Sequence, residues 1–365
     1  MTVELTKEIA YKNLQKFFNE RPFVILGSGT SSAVDVKFGM GELQRHLEKY
    51  IPMKGLNSDQ KNEWSLVTSD LDNSIDLETS MNLVKDEKLK DIIVECTAEL
   101  ISSLNKEYEH KILLGETNWP TINIMKKLVD ARITDRALHV ATTNYDCLIE
   151  YALEKACIPY ITGFIGGIDK TLNWNRAMIS VGFNDNIQHC KQYKKIHRME
   201  KHIRLYKVHG SLNTFKFNNR IHENNSWMIN VPEGVKRCMI TPGASKFESI
   251  LEDGNELIKP YYSAIENHNA FLFIGFGFND KQLINNTMIN KLNQQKNFGL
   301  IITKDNNDRI KEKLEDCENL WIVCKHQHAG NESTRIYNKK FSNWLYLEDK
   351  QLWKTDEFSK EILGG

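Results

Sequence analysis

Four short polar segments, each set directly after an apolar run, hold the residues of this chain that could do chemistry. The first is Gly27-Ser28-Gly29-Thr30-Ser31-Ser32. Glycines let a backbone approach a ligand closely, and free N–H groups ahead of a helix favour a pyrophosphate. The same loop also reads as a tight strand-to-helix turn without a ligand. The second is Thr142-Thr143-Asn144-Tyr145-Asp146. Cleaving a bond to an anomeric carbon develops positive charge on the sugar. Asn144 could hold the sugar or an attacking water, and Asp146 could steady the cation. Alternatively, these residues form an Asx-turn in which Asp146 caps a helix over 147–155. The third, Val208-His209-Gly210-Ser211-Leu212-Asn213, supplies a histidine able to act as a base near neutral pH. Gly210 beside it would leave room for substrate. A purely structural histidine fits the pattern too, since the chain has 11. The fourth, Phe273-Ile274-Gly275-Phe276-Gly277-Phe278-Asn279-Asp280, could shape the adenosine end of a dinucleotide, or could turn with Asp280 capping the next helix.

The elements that must position these segments follow from periodicity. Ile9, Leu14, Phe17 and Phe18 recur at helical spacing, and Arg21-Pro22 ends that helix. Residues 23–26 read as a buried parallel strand. From Gly41 the pattern turns helical: Leu89, Ile92, Ile93, Cys96, Leu100 and Leu104 trace one apolar face, and Met125, Leu128 and Val129 another. Strand-like runs resume at 138–141, 205–208, 239–241, 271–274, 300–302 and 320–323, mostly separated by helical spacers. The expected fold class is α/β: a Rossmann-like, mainly parallel sheet with helices on both faces, plus a helical insertion and no zinc module. The expected organisation is one domain over 1–365. It would carry a helical insertion at about 41–132, a small insertion at about 156–204 and a strand-helix extension at about 299–365. Stretches 161–167 and 218–223, with Asn224 and Asn225, read as loops. Ligands of such sheets bind at the carboxyl ends of strands, where all four polar segments stand. A redox dehydrogenase would need a third glycine where Ser32 stands and an acidic residue about 20 positions on. The dinucleotide reading survives that test; the dehydrogenase reading does not.

Composition narrows the class. With 41% hydrophobic and 26% charged residues the chain is of ordinary soluble globular type. Its 48 basic and 48 acidic residues balance, which gives no reason to expect nucleic acid or a membrane as partner and favours a homo-oligomer. Seven cysteines, an odd count with no C-x-x-C pair, argue against a disulfide framework and a four-cysteine zinc site. The opening residues lack the apolar core of a signal peptide, so a cytoplasmic location is expected. The basic run 191–204 reads as a solvated helix face. His326 and His328 make a weak metal pair, and Gly364-Gly365 a frayed end.

Taken in order, the threonine–any–asparagine–any–aspartate segment, then His209-Gly210-Ser211-Leu212, then a strand ending in glycine turns, resemble the sirtuin superfamily over roughly residues 20 to 305. The resemblance implies NAD as the substrate, with Asn144 and His209 catalytic. It also implies that Gly27, Ser28, Gly29, Thr30, Ser31, Thr142, Asp146, Gly275 and Gly277 bind NAD, with Asp146 in the nicotinamide pocket. Residues 160–166 and 241–246 look like connecting segments of bacterial sirtuin-like defence proteins. Two features depart from the protein-deacylating members. Only Cys238 stands between His209 and Gly275, where those members carry two cysteine pairs for zinc. Their P-D-F-R-like segment is also absent, Asp35-Val36-Lys37-Phe38 standing in its place. These departures point to the NAD hydrolases of anti-phage defence, some of which work with a HerA-type ATPase, and to no metal. An NAD-dependent deacylase and a non-catalytic NAD- or ADP-ribose-binding subunit are the alternatives.

Overall fold

The computed structural model describes residues 3–132, 136–189, 192–241, 255–280, 283–284, 286–294, 297–328 and 330–364. The strands are β1 (Phe23–Leu26), β2 (Ala137–Thr142), β3 (Tyr160–Ile161), β4 (Phe164–Gly166), β5 (Lys170–Leu172), β6 (Gly182–His189), β7 (Gln192–Met199) and β8 (His202–Lys207). They continue as β9 (Gly210–Phe217), β10 (Arg220–Glu223), β11 (Lys236–Met239), β12 (Ala270–Ile274), β13 (Phe298–Thr303), β14 (Leu320–His328), β15 (Asn331–Asn338) and β16 (Leu345–Leu347). Nine of them form one sheet in the order β16-β15-β14-β13-β12-β1-β2-β8-β3. From β14 to β3 every neighbouring pair is parallel; β15 and β16 run antiparallel at one edge.

The strands alternate between two cores. Val24 and Leu26 face the helices Lys7–Asn19, Ile122–Asp130, Leu148–Lys155 and Thr355–Leu363. Phe23 and Ile25 face Asn255–Glu266, Asn286–Leu292 and Asp308–Asp316. With both faces covered, β1 can be apolar at all four positions, all 0% exposed. The mainly parallel α/β sheet with helices on both faces is therefore as the sequence indicates.

Between β1 and β2 the chain is helical: Met40–Tyr50, Ser58–Asp72, Leu77–Ser80, Glu87–Leu113 and Ile122–Asp130. Leu43, Leu47, Trp64, Val67, Leu89 and Ile93 build a core of their own there. An Asn57–Gln60 capping box opens one of these helices, and Asp86 caps the longest. Farther along helix Glu87–Leu113, Ile101 and Leu104 join the sheet's core and tie this segment to it. Among the described residues no helix is long and apolar enough to cross a membrane.

Three local readings need correction. Met239 ends β11, which pairs antiparallel with β9 in a second sheet, order β11-β9-β10-β5-β4, instead of joining the large one. The segment that follows it, 242–246, lies outside the described residues. The basic run is strand, not helix: β7 pairs with β6 as a separate hairpin, a partner that charge pattern alone does not report; Lys191 lies outside the described residues. Finally, 161–167 and 218–223 are not all loop: Ile161 ends β3, and Phe164–Gly166 is β4, paired antiparallel with β5. Asn218 and Asn219, at φ 49° and 55°, are the two-residue turn of the β9–β10 hairpin, a conformation asparagine tolerates.

Candidate active site at the strand ends

Strand β1 lies between β12 and β2, so the order of connection reverses beside it. That switch point is where an open α/β sheet leaves a crevice. The loops after β1 and β12 meet there. The Gly27 N–H donates to the Ile274 carbonyl and the Gly29 N–H to the Gly275 carbonyl, both at 3.0 Å. Gly275 has φ +58°, and a Cβ placed on it would lie 2.7 Å from the Gly29 backbone. These glycines let two loops interlock, a different reason from approach to a ligand. Gly277 is unlike them: a Cβ there would meet nothing nearer than 3.4 Å. Gly210, at φ +66°, is pressed against the Cys238 backbone, so it serves packing of the His209 loop on β11 and leaves no substrate gap.

A hydrogen-bonded chain joins the first two polar segments. Asn144 Nδ2 donates to Ser31 Oγ at 2.7 Å and to Thr30 Oγ1 at 3.1 Å. Ser31 Oγ donates to Asp146 Oδ2 at 2.7 Å. Asp146 Oδ1 accepts from the Leu148 N–H at 3.1 Å, and Thr142 Oγ1 accepts from the Asn144 N–H at 3.1 Å. Asp146 thus makes an Asx-turn just ahead of helix Leu148–Lys155, whose N-cap position is Cys147 and not Asp146 as the sequence suggests, and it also fixes Ser31. Burial pushes its carboxyl up to about 6, against the bonds from Ser31 and Leu148, which lower it. Since both Asn144 Nδ2 bonds go to the wall, its Oδ1 is left buried with no hydrogen-bond partner.

His209, two residues beyond β8, is 2% exposed, and its Nε2 lies 2.7 Å from Asp280 Oδ2. Asp280 comes from the loop after β12 and also accepts from the Leu283 N–H at 3.1 Å. A carboxylate so placed favours positive charge on the imidazole. Tyr145 Oη donates to the Ile240 carbonyl at 2.6 Å, and burial pushes its phenol far above the usual range, with Glu78 and Asp280 adding to the effect.

A cavity of about 280 Å³ opens over these groups. Of the residues singled out in the sequence, Gly27, Ser28, Asn144, Asp146, His209 and Gly277 line it. Gly29, Thr30, Ser31, Thr142 and Gly275 do not; they form the hydrogen-bonded and close-packed layer behind. The opposite wall was not foreseen. Phe38, Met40 and Gln44 reach it from around helix Met40–Tyr50, and Asp76 and Glu78 from around helix Leu77–Ser80. Nothing in their spacing signals chemistry; they join the site only through the packing of the helical segment on the sheet. Asp280 was visible in the fourth segment only as a cap. The lining holds four carboxylates, Asp76, Glu78, Asp146 and Asp280, and no lysine or arginine among the described residues. No group of three or more His, Cys, Asp or Glu suited to a metal ion occurs among those residues.

The arrangement can orient a hydroxyl group on Asn144, accept a proton at His209 and stabilise positive charge with the surrounding carboxylates. A search of curated proteins found no match. The model of the SIR2-like domain matches residues 138–322, from β2 into β14, leaving the Gly27 loop ahead of it. That match covers just over half of the chain and takes in Asn144, Asp146, His209, Gly275 and Asp280; the chain therefore belongs to the SIR2-like domain family, which implies use of NAD.

Proposed function

We propose that this chain is an NAD glycohydrolase, cleaving NAD to nicotinamide and ADP-ribose. Asn144 carries the reading. It lines the cavity beside His209 with a buried Oδ1 that lacks a donor, and a ribose hydroxyl or the attacking water supplies one. Water attacks the anomeric carbon and the carbon–nitrogen bond breaks. Its electron pair passes to the pyridinium nitrogen, so nicotinamide leaves neutral. The proton lost by the water goes to His209, and Asp280 stabilises the ring that receives it. The sugar is most positive at the transition state, where the carboxylate lining favours it over the ground state. The pyrophosphate is met by the Ser28 hydroxyl, and no lysine or arginine lines the cavity among the described residues. The single cysteine between His209 and Gly275 supports water, not an acyl-lysine peptide, as the acceptor.

The same proposal includes depletion of NAD in anti-phage defence, by a homo-oligomer working with a HerA-type ATPase. The sequence resemblance supports this part. The test is release of nicotinamide from NAD by the wild-type chain, alone and with partner and trigger, against Asn144→Ala and His209→Ala. Release that falls by about 100-fold or more in both variants supports the reading. No release from wild type under any of these conditions sinks it.

A further inference from the structure

A second cavity of about 280 Å³ shares no residue with the first; Cys147, Glu150, Tyr160, Asn213, Glu223 and Asn225 are part of its wall. Glu150 and Glu223 are 6% and 4% exposed. Each is held by a lysine through one oxygen: Lys207 Nζ lies 2.7 Å from Glu150 Oε1, and Lys170 Nζ lies 2.8 Å from Glu223 Oε1. Lys207 also donates to Asn213 Oδ1 at 2.5 Å, which leaves it 3.8 Å from Glu223 Oε2, beyond hydrogen-bond reach. The second oxygen of each glutamate, Oε2 in both, is buried with no hydrogen-bond partner. Burial pushes the Glu223 carboxyl up, but Lys207 and Lys170, with a smaller contribution from the Thr162 hydroxyl, outweigh it and hold it below the usual carboxylate range.

Glu109 and Glu154 stand on the same wall, giving four carboxylates against the two ammonium groups of Lys170 and Lys207. A buried acceptor without a donor costs about 1–3 kcal/mol, and more when charged. Water would supply donors but leave the excess negative charge. A divalent metal needs several oxygens converging on one point, and no such group occurs among the described residues. An organic cation supplies both positive charge and several directed N–H donors.

We propose that this cavity binds a small organic cation of the amine or guanidine class, its N–H groups donating to Glu150 Oε2 and Glu223 Oε2. The site is independent of the NAD reading. It abuts the segment between Lys207 and Asn213 that carries His209.

Calorimetric titration of the full chain with agmatine and with putrescine tests this, with 1,4-butanediol as the neutral probe. Saturable binding of at least one cation at one site per chain is expected, with none by butanediol. Glu223→Gln should weaken it by about 10-fold or more, the loss of one charged hydrogen bond. Glu109→Lys, at a half-buried wall position, tethers an ammonium group at the cavity and should weaken binding as much without lowering the melting temperature. Three results would each overturn the proposal. One is no saturation by either cation at millimolar concentration. Another is binding indifferent to Glu109→Lys. The third is butanediol binding as tightly as putrescine.

Discussion

His209 Nε2 lies 2.7 Å from Asp280 Oδ2, although 70 positions and several strands separate the two residues in the chain. The β8 and β12 ends bring them together across the switch point, where the carboxylate favours positive charge on the imidazole. Asp280→Asn keeps the shape but removes the charge that favours the protonated ring. Nicotinamide release should fall by about 100-fold or more, mostly in kcat, with KM little changed. Wild-type kcat in this variant would remove Asp280 from the mechanism.

Ser31 stands behind the cavity and still controls it. Its hydroxyl accepts from Asn144 and donates to Asp146, so Ser31→Ala frees the amide to rotate and strips Asp146 of a donor. Thr30 still holds Asn144 Nδ2, so the loss should be partial: about 10-fold in kcat. Unfolding free energy should drop by about 1.5–3 kcal/mol, the range for a hydrogen bond to a charged group. Steady-state kinetics and urea melts on the same preparation read both. An unchanged kcat would show that Asn144 is oriented by other groups.

Asp146 makes stability depend on pH in an uncommon direction. Burial pushes its folded carboxyl up to about 6, from an ordinary value of 3.8. Between these values the folded chain holds a proton that the unfolded chain has lost, so stability falls as pH rises. Relative to Asp146→Asn, the wild type should lose about 2 kcal/mol between pH 4 and pH 6 and show little further change above pH 7. Urea melts of both proteins across that range provide the check. A difference that grows in the opposite sense would mean that the Ser31 and Leu148 donors outweigh burial.

Much of this site is legible in the sequence because its parts are local. Phe23–Leu26 announces a strand buried on both faces, and a glycine loop directly after it has to sit at a strand end. Asn144 and Asp146 stand two apart after β2, and that spacing alone places both near the crevice. What is not legible depends on long-range packing. Asp76 and Glu78 enter through a helical segment with a core of its own, and no periodic pattern ties that core to the sheet. Gly210 and Gly275 look like glycines for a ligand, yet backbones elsewhere in the chain demand them. The basic run fails as a helix because its partner strand β6, and not its own charges, decides its conformation.

The contrast between Gly275 and Gly277 can be measured directly. Alanine at Gly275 would take up a left-handed φ of +58° and set its Cβ 2.7 Å from Gly29. The conformation costs about 1–2 kcal/mol, and overpacking about 1–3 more. Gly275→Ala should therefore be destabilised by several kcal/mol or fail to fold. Gly277→Ala, with no neighbour closer than 3.4 Å, should melt within about 0.5 kcal/mol of wild type. Equal melting of the two variants would contradict the interlocked-loop account.

Glu78 poses the sharpest electrostatic question. It is half-buried and lines the cavity with Asp76, Asp146 and Asp280; under the proposed function these carboxylates meet NAD, whose pyrophosphate is itself negative. At an effective dielectric of about 20, two charges 8 Å apart repel by roughly 2 kcal/mol, less once salt screens them. Glu78→Gln should lower KM for NAD by about 3- to 10-fold at low ionic strength, with the gain shrinking as salt is raised. If its charge also steadies the cationic sugar, kcat should fall in the same variant, so that kcat/KM changes little. By the same repulsion NADP, with a further phosphate, should be the poorer substrate. Initial rates of wild type and variant over a series of salt concentrations separate the outcomes. A KM that rises and ignores salt would mean that Glu78 holds the substrate through a hydrogen bond instead of repelling it.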